Sequence, residues 1–144
     1  MGAVLSVYLD ANVLVAFFAT DPFSSRAVAF LQTQTPALVI SDFAAAEFAS
    51  AIARRVRMNE LLRDQASRAF ANFDIWLGQA ATRIEVTSAD VRAAAAMLRR
   101  LDLTLRTPDA INIAIAQRVG AELATFDARM AGNARALGVT LAPV

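Results

Sequence analysis

The sequence predicts an α/β fold, a parallel β-sheet of four to five strands flanked by helices on both faces. Two patterns carry that expectation. Short apolar runs rich in β-branched and aromatic residues recur along the chain, and helix-type segments with their own start and stop signals fall between them. Turn signals come at short intervals, and no linker, repeat or low-complexity segment stands out beyond a bias to alanine. The 144 residues are therefore read as one domain, 1–144.

The elements follow in order. VLSVYL (4–9) reads as a buried strand, and Asn12 to Ala19 as a short helix. Asp21-Pro22 offers a cap followed by proline, the start of a helix to about Gln32. Pro36 breaks the chain before ALVI (37–40), the second strand. Ser41 caps a helix running to about Arg57, with Asp42 in its first turn. Asn59 is positioned to cap a longer helix over roughly 60–80, and RIEV (83–86) is the third strand. Thr87 caps a helix over about 88–101. Thr107-Pro108-Asp109 then repeats the cap, proline and acid signal, opening a helix to about Val119 that Gly120 closes. ELATF (122–126) is the fourth strand, a short helix spans about 128–137, and VTLA (139–142) is a fifth strand at the sheet edge.

Composition narrows the chemistry. Net charge is +1, so no strong overall field marks a nucleic-acid partner, although local patches matter more than the total. All fourteen basic residues are arginine. That suits phosphate, and a GC-rich genome produces the same bias. Cysteine and histidine are both absent. This excludes a disulfide framework, a thiolate nucleophile, a zinc–sulfur site, a Ser-His-Asp triad and a histidine-ligated metal. Carboxylates without those partners suit hard, oxygen-loving cations such as Mg²⁺ or Mn²⁺. Residues 3–19 approach the length of a membrane span, but Asp10 sits at their centre. An acid there costs about 2.5–3.5 kcal/mol on insertion. With no positively charged leader before it, the chain reads as cytoplasmic with no membrane partner.

Four acids stand out. Asp10 and Asp127 end the first and fourth strands, at the edge where open parallel sheets bind ligands. Asp109 lies in the first turn of its helix, and Glu47 has apolar neighbours on nearly every side. Singly, each has a plainer explanation: a turn-former (Asp10), a first-turn acid meeting the helix dipole (Asp109), an N-cap (Asp127) or a solvated helix residue (Glu47). Brought together, unpaired carboxylates repel and raise one another's pKa, which favours a neutralising cation. One or two such ions lower the pKa of bound water and polarise phosphoryl oxygens, and hydrolysis of a phosphodiester then needs no histidine.

The stretches YLDANVLV, FAAAEFASAIARR, RTPDAINIAIA and LATFDARM, in this order, resemble the signature of the PIN-domain family, and within it the VapC-type toxins of bacterial toxin–antitoxin pairs. The resemblance covers essentially the whole chain. It implies a doubly wound PIN-like fold and a Mg²⁺- or Mn²⁺-dependent endoribonuclease. Asp10, Glu47, Asp109 and Asp127 fall at the family's metal-binding acids. By that likeness Asp10 and Asp109 are the central ligands. Glu47 completes the pocket or orients a water, and Asp127 holds a second metal or positions one through water. Asn12 and Thr125 are small polar residues beside the pocket, expected to donate to the acids. Arg106 is the first candidate for an RNA phosphate contact. Arg54, Arg55 and Arg57 are further candidates, or simply the last turns of a helix answering its dipole. The resemblance also implies an RNA substrate, a homodimer, and a VapB-type antitoxin that wraps the toxin in a higher hetero-oligomer. Leu61, Leu62, Phe70, Phe73, Ile75, Trp76 and Leu77 suit either the core or the groove for that partner.

Two other readings compete. A haloacid-dehalogenase-like phosphatase also places an acid after its first strand, but Asn12 stands where its phosphatases carry a proton-transferring acid. Its phosphate-binding lysine has no counterpart here. A catalytically silent binding module on the same fold is expected to have lost one or more acids, and all four are present.

Overall fold

The computed structural model describes residues 5–33 and 37–144. Val4 and Pro36, both used in the sequence reading, lie outside them. In chain order the elements are β1 (Ser6–Leu9), α1 (Ala11–Phe18), α2 (Ser24–Thr33), β2 (Ala37–Ser41), α3 (Asp42–Arg57) and α4 (Arg63–Ala80). They continue with β3 (Ala81–Ile84), α5 (Ser88–Leu98), α6 (Thr107–Val119), β4 (Glu122–Ala124) and α7 (Ala128–Ala136). The four strands are parallel in the order β3-β2-β1-β4.

The central strand shows why helices cover both faces. Successive side chains of β1 alternate: Val7 and Leu9 enter one layer with Ile40, Phe48 and Phe73, while Tyr8 enters the other with Val39, Ile113 and Met130. The first layer is rich in aromatics. Phe73 of α4 packs against Phe48 of α3 at 4.7 Å and edge-on against Phe18 of α1 at 5.6 Å between centroids. Part of the apolar face of α4 is thus used within the chain. Phe73 and Leu77 are buried, Leu61, Phe70 and Trp76 pack partly against the core, and Leu62 and Ile75 are left exposed.

Element boundaries moved where a local polar bond outcompeted the expected signal. Asp21-Pro22 forms a turn ahead of α2, with the Ser24 amide donating to the Asp21 carbonyl at 3.0 Å. Asn59 closes α3 instead of opening α4. It takes a left-handed φ of 59°, and the Glu60 amide donates back to the Arg55 carbonyl at 2.8 Å. The start of α4 is held by the Leu62 amide donating to the Gln65 side chain at 2.8 Å. The third strand covers 81–84, not 83–86, because α4 feeds directly into it and β2 offers no partner beyond Ser41, which pairs with Ile84. Thr107 is the first residue of α6 and not its cap. The fourth strand ends at Ala124, and the expected fifth is a single bridge between Leu123 and Leu141. Among the described residues no helix is long and apolar enough to cross a membrane.

An ion pair between exposed Arg118 and buried Asp90 fixes α6, the helix that carries Asp109. Arg118 donates to both carboxylate oxygens of Asp90, at 2.8 and 3.0 Å, and to the Glu85 carbonyl at 2.8 Å. Burial opposes the charge on Asp90, but the bonds from Arg118 and the Thr87 amide outweigh it and hold its pKa below the ordinary value. The pair therefore stabilises above the ordinary aspartate pKa, and that contribution is lost as pH falls through the lowered one. Arg118→Ala should reduce the free energy of unfolding at neutral pH by about 1–3 kcal/mol, measured in urea. The gap to wild type should narrow below about pH 4.

Candidate active site

From β1 the chain steps outward to β2 and β3, then crosses back to place β4 on the other side of β1. The strand order reverses between β1 and β4, and the crevice beyond their carboxyl ends is where open α/β sheets bind ligands. A cleft of about 930 Å³ opens there, and Asp10, Glu47, Asp109 and Asp127 all line it. The structure thus brings together all four acids picked out from the sequence.

Each arrives by a different route. Asp10 follows β1 and caps α1, its Oδ1 accepting from the Ala11 amide at 2.8 Å. Asp127 follows β4 and caps α7, its Oδ1 accepting from the amides of Arg129 at 2.9 Å and Met130 at 3.2 Å. Asp109 sits in the first turn of α6, where its Oδ2 accepts from the Arg106 amide at 3.3 Å. Three of the four carboxylates therefore lie at helix N-termini, whose partial positive charge favours an anion. Glu47 comes instead from within α3.

Asn12 and Thr125 stand beside Asp10 as expected. Thr125 donates to Asp10 Oδ2 at 2.8 Å, and Asn12 Nδ2 donates to the same oxygen at 3.1 Å. Asn12 also accepts from the Phe126 amide and donates to Thr125, which ties the ends of β1 and β4 together. Glu47 is held by a residue the sequence reading passed over. Asn112 donates to Glu47 Oε1 at 2.6 Å and to the Pro108 carbonyl at 3.0 Å, while its own Oδ1 accepts from the Tyr8 hydroxyl at 2.5 Å. Tyr8 and Ser41 share a further bond of 2.6 Å, and Ser41 accepts from the Ala44 amide. The signal for Asn112 was one amide inside the apolar run INIAIA, three residues after Asp109 and so on the same helix face.

The electrostatics follow from this crowding. Burial pushes the Asp10 carboxyl up to about 6, with Asp109 and Asp127 adding repulsion, against the bonds from Thr125 and Ala11. Burial likewise pushes Glu47 up to about 7, with Asp10 and Asp109 adding to it and Asn112 and Arg106 opposing it. Among the described residues no three acidic side chains close into a cage around an ion. An open, all-oxygen wall without lysine suits a small hard cation that keeps part of its water shell and binds through one or two carboxylates.

The arginines divide. Arg106 is exposed on the cleft wall, its Nε 3.4 Å from Asp109 Oδ2. Arg54 is also exposed on that wall. Arg55 lines the same cleft but is paired there, donating to Asp21 Oδ2 at 2.7 Å and to the Thr20 carbonyl at 2.9 Å.

Comparison with known proteins agrees with this architecture. The PIN domain family model matches residues 7–136. Ribonuclease VapC46 of Mycobacterium tuberculosis is 31% identical over 139 residues, spanning 94% of this chain and 95% of that protein. Among solved structures, M. tuberculosis VapC20, described as a sarcin-ricin loop cleaving toxin, superposes with a TM-score of 0.74. It is 19% identical and the match covers 94% of this chain and 98% of that one. VapBC2 from Rickettsia felis, bound to a DNA fragment from its promoter, gives 0.70 at 16% identity, over 96% and 98%. At these identities the solved structures speak to the fold alone.

The raised carboxyl groups fix a sign. An acid whose pKa is higher folded than unfolded contributes stability in its protonated form, and that contribution is lost as pH rises through the folded value. Without metal, the protein should become more stable as pH falls from 8 towards 5. Asp10→Asn should flatten that slope and stabilise the metal-free protein at pH 8 by roughly 1–3 kcal/mol. Thermal unfolding in EDTA across this range is the check, and destabilisation at pH 8 would make Asp10 a structural residue.

Proposed function

The chain belongs to the PIN-domain family, in its VapC-type branch; from that premise we propose that it is a Mg²⁺- or Mn²⁺-dependent endoribonuclease, the toxin of a toxin–antitoxin pair. One observation carries the reading: four carboxylates from distant parts of the chain line one cleft at the point where the strand order reverses. Family membership removes the dehalogenase-like alternative. Residues 1–144 are taken as one PIN domain acting in the cytoplasm on RNA. A VapB-type antitoxin is the proposed inhibitor, with a homodimeric toxin assembled into a larger hetero-oligomer.

Asp10 and Asp109 would hold the ion, and Asp127 would hold a second one or position one through water. A divalent ion bound there supplies charge stabilisation at phosphorus and acidifies water. The chain's own groups do the rest. Thr125 and Asn12 fix the Asp10 carboxylate by donating to Oδ2, and Oδ1, which accepts only from the Ala11 amide, keeps a lone pair for a ligand. Glu47, near neutrality in pKa and held at Oε1 by Asn112, orients the attacking water and accepts its proton. Arg106 meets a phosphate oxygen of the RNA backbone, with Arg54 as a second contact. The phosphorus–oxygen bond to the attacking water forms as the bond to the leaving ribose oxygen breaks.

The test is cleavage of total cellular RNA by purified, antitoxin-free protein with Mg²⁺, with Mn²⁺ and with EDTA, beside Asp10→Asn. Discrete metal-dependent fragments absent from the mutant are expected. Folded protein that cuts nothing under either metal would favour the silent binding module. A second readout needs no substrate. Mn²⁺ at a hundred times its Kd should stabilise wild type by about 2.7 kcal/mol, and Asn12→Ala should weaken Mn²⁺ binding by about 10- to 100-fold in calorimetry.

A further inference from the structure

A pair of phenylalanines at the cleft does nothing for the chemistry described so far. Phe23, in the turn between α1 and α2, stacks on Phe126, which follows β4, with centroids 4.8 Å apart and planes 7° from parallel. Both rings line the cleft, and Phe126 directly precedes Asp127. If the pair served only to seal the end of β4, the outer ring should be covered. It is not. Seven large hydrophobic residues are exposed among the described residues, and Phe23, at 37%, is the single aromatic in that group.

The ring is also held in place. The Phe23 amide donates to Asp21 Oδ1 at 2.8 Å. Asp21 is gripped from α3 by Arg55 at 2.7 Å, and Arg55 also binds the Thr20 carbonyl at 2.9 Å. On the other side, the Arg26 guanidinium lies 5.5 Å from the Phe23 centroid and 5.0 Å from that of Phe126, and donates to the Val144 carbonyl at 2.6 Å. An exposed aromatic fixed from two sides, backed by a second ring and flanked by a cation, has the make-up of a stacking platform for an unpaired base. The cleft lining carries six carboxylates against Arg54, Arg55 and Arg106, so exposed Arg54 and Arg106 are the groups there that suit a phosphate backbone, and the proposed metal ion would offset the remaining negative charge.

We propose that Phe23, backed by Phe126, is a nucleobase subsite on which an unpaired base of the RNA stacks beside the scissile phosphodiester. This deepens the ribonuclease reading and rests on it. It also gives Arg55 a part in setting the platform, through its bond to Asp21. Every base has a π-face, so the subsite demands an unpaired nucleotide and discriminates weakly among the four bases.

The probe is single-stranded RNA carrying 2-aminopurine, titrated with Asp10→Asn protein so that no cleavage intervenes. Stacking is expected to quench the fluorophore on binding. Phe23→Leu should weaken binding about tenfold and remove the quench, and Phe23→Trp should keep both. The same sequence annealed into a duplex should show no quench. Thermal unfolding shows that each variant is folded, and Phe126→Leu serves as a second variant at the same stack. If Phe23→Leu binds and quenches like its parent, the subsite is wrong while the ribonuclease reading stands. If the parent binds no RNA and the wild type cuts none, both fall together.

Discussion

Everything at this site depends on holding like charges together. A parallel sheet in the order β3-β2-β1-β4 brings the ends of β1 and β4 side by side, and the chain places an aspartate after each. Asp109 and Glu47 enter the same cleft from α6 and α3. In a buried setting such carboxylates repel, and desolvation adds to the cost. The protein has no lysine and no histidine to answer them. Its own compensation is of four kinds: Arg106 beside Asp109, helix N-termini beneath Asp10, Asp109 and Asp127, neutral donors on Asp10 and Glu47, and pKa values for those two raised towards neutrality. That compensation is partial. The remaining negative charge is what the proposed cation would neutralise.

The surrounding bonds keep that arrangement from relaxing. Asn12 and Thr125 link the ends of β1 and β4 while donating to Asp10, so the strand pairing and the carboxylate geometry are one feature. On the other wall, Ser41, Tyr8 and Asn112 form a buried polar line ending at Glu47. Tyr8 belongs to the central strand and Ser41 caps α3, so the helix that carries Glu47 is tied to the sheet at its start and at its functional residue. Among the described residues every buried side-chain polar atom has a partner. A fully satisfied network of this kind holds its members rigidly, as positioning a water or an ion demands.

Much of this was legible in the chain, for a physical reason. Strand and helix periods are strong local signals, so all four strands and the sheet's helix cover were readable from apolar runs and caps. Asp10, Glu47, Asp109 and Asp127 were legible because acids in apolar surroundings need an explanation. Other features were decided by bonds between distant residues. Asn59 looked like the cap of α4, but the left-handed turn it permits closes α3. Arg55 looked like part of a basic end to α3, but Asp21, thirty-four residues earlier in the chain, claims it. Asn112 and Tyr8 are 104 residues apart, and neither announces in sequence that the other satisfies it. The Phe23–Phe126 stack is of the same kind, since it requires knowing that the α1–α2 turn meets the end of β4.

The most direct test of the central claim is anomalous diffraction from crystals of the protein soaked in Mn²⁺. A peak is expected within bonding distance of the Asp10 and Asp109 carboxylates, in the cleft between β1 and α6. Full occupancy of manganese elsewhere with no density at that position would contradict it, and would return the four acids to the separate structural roles each could fill alone.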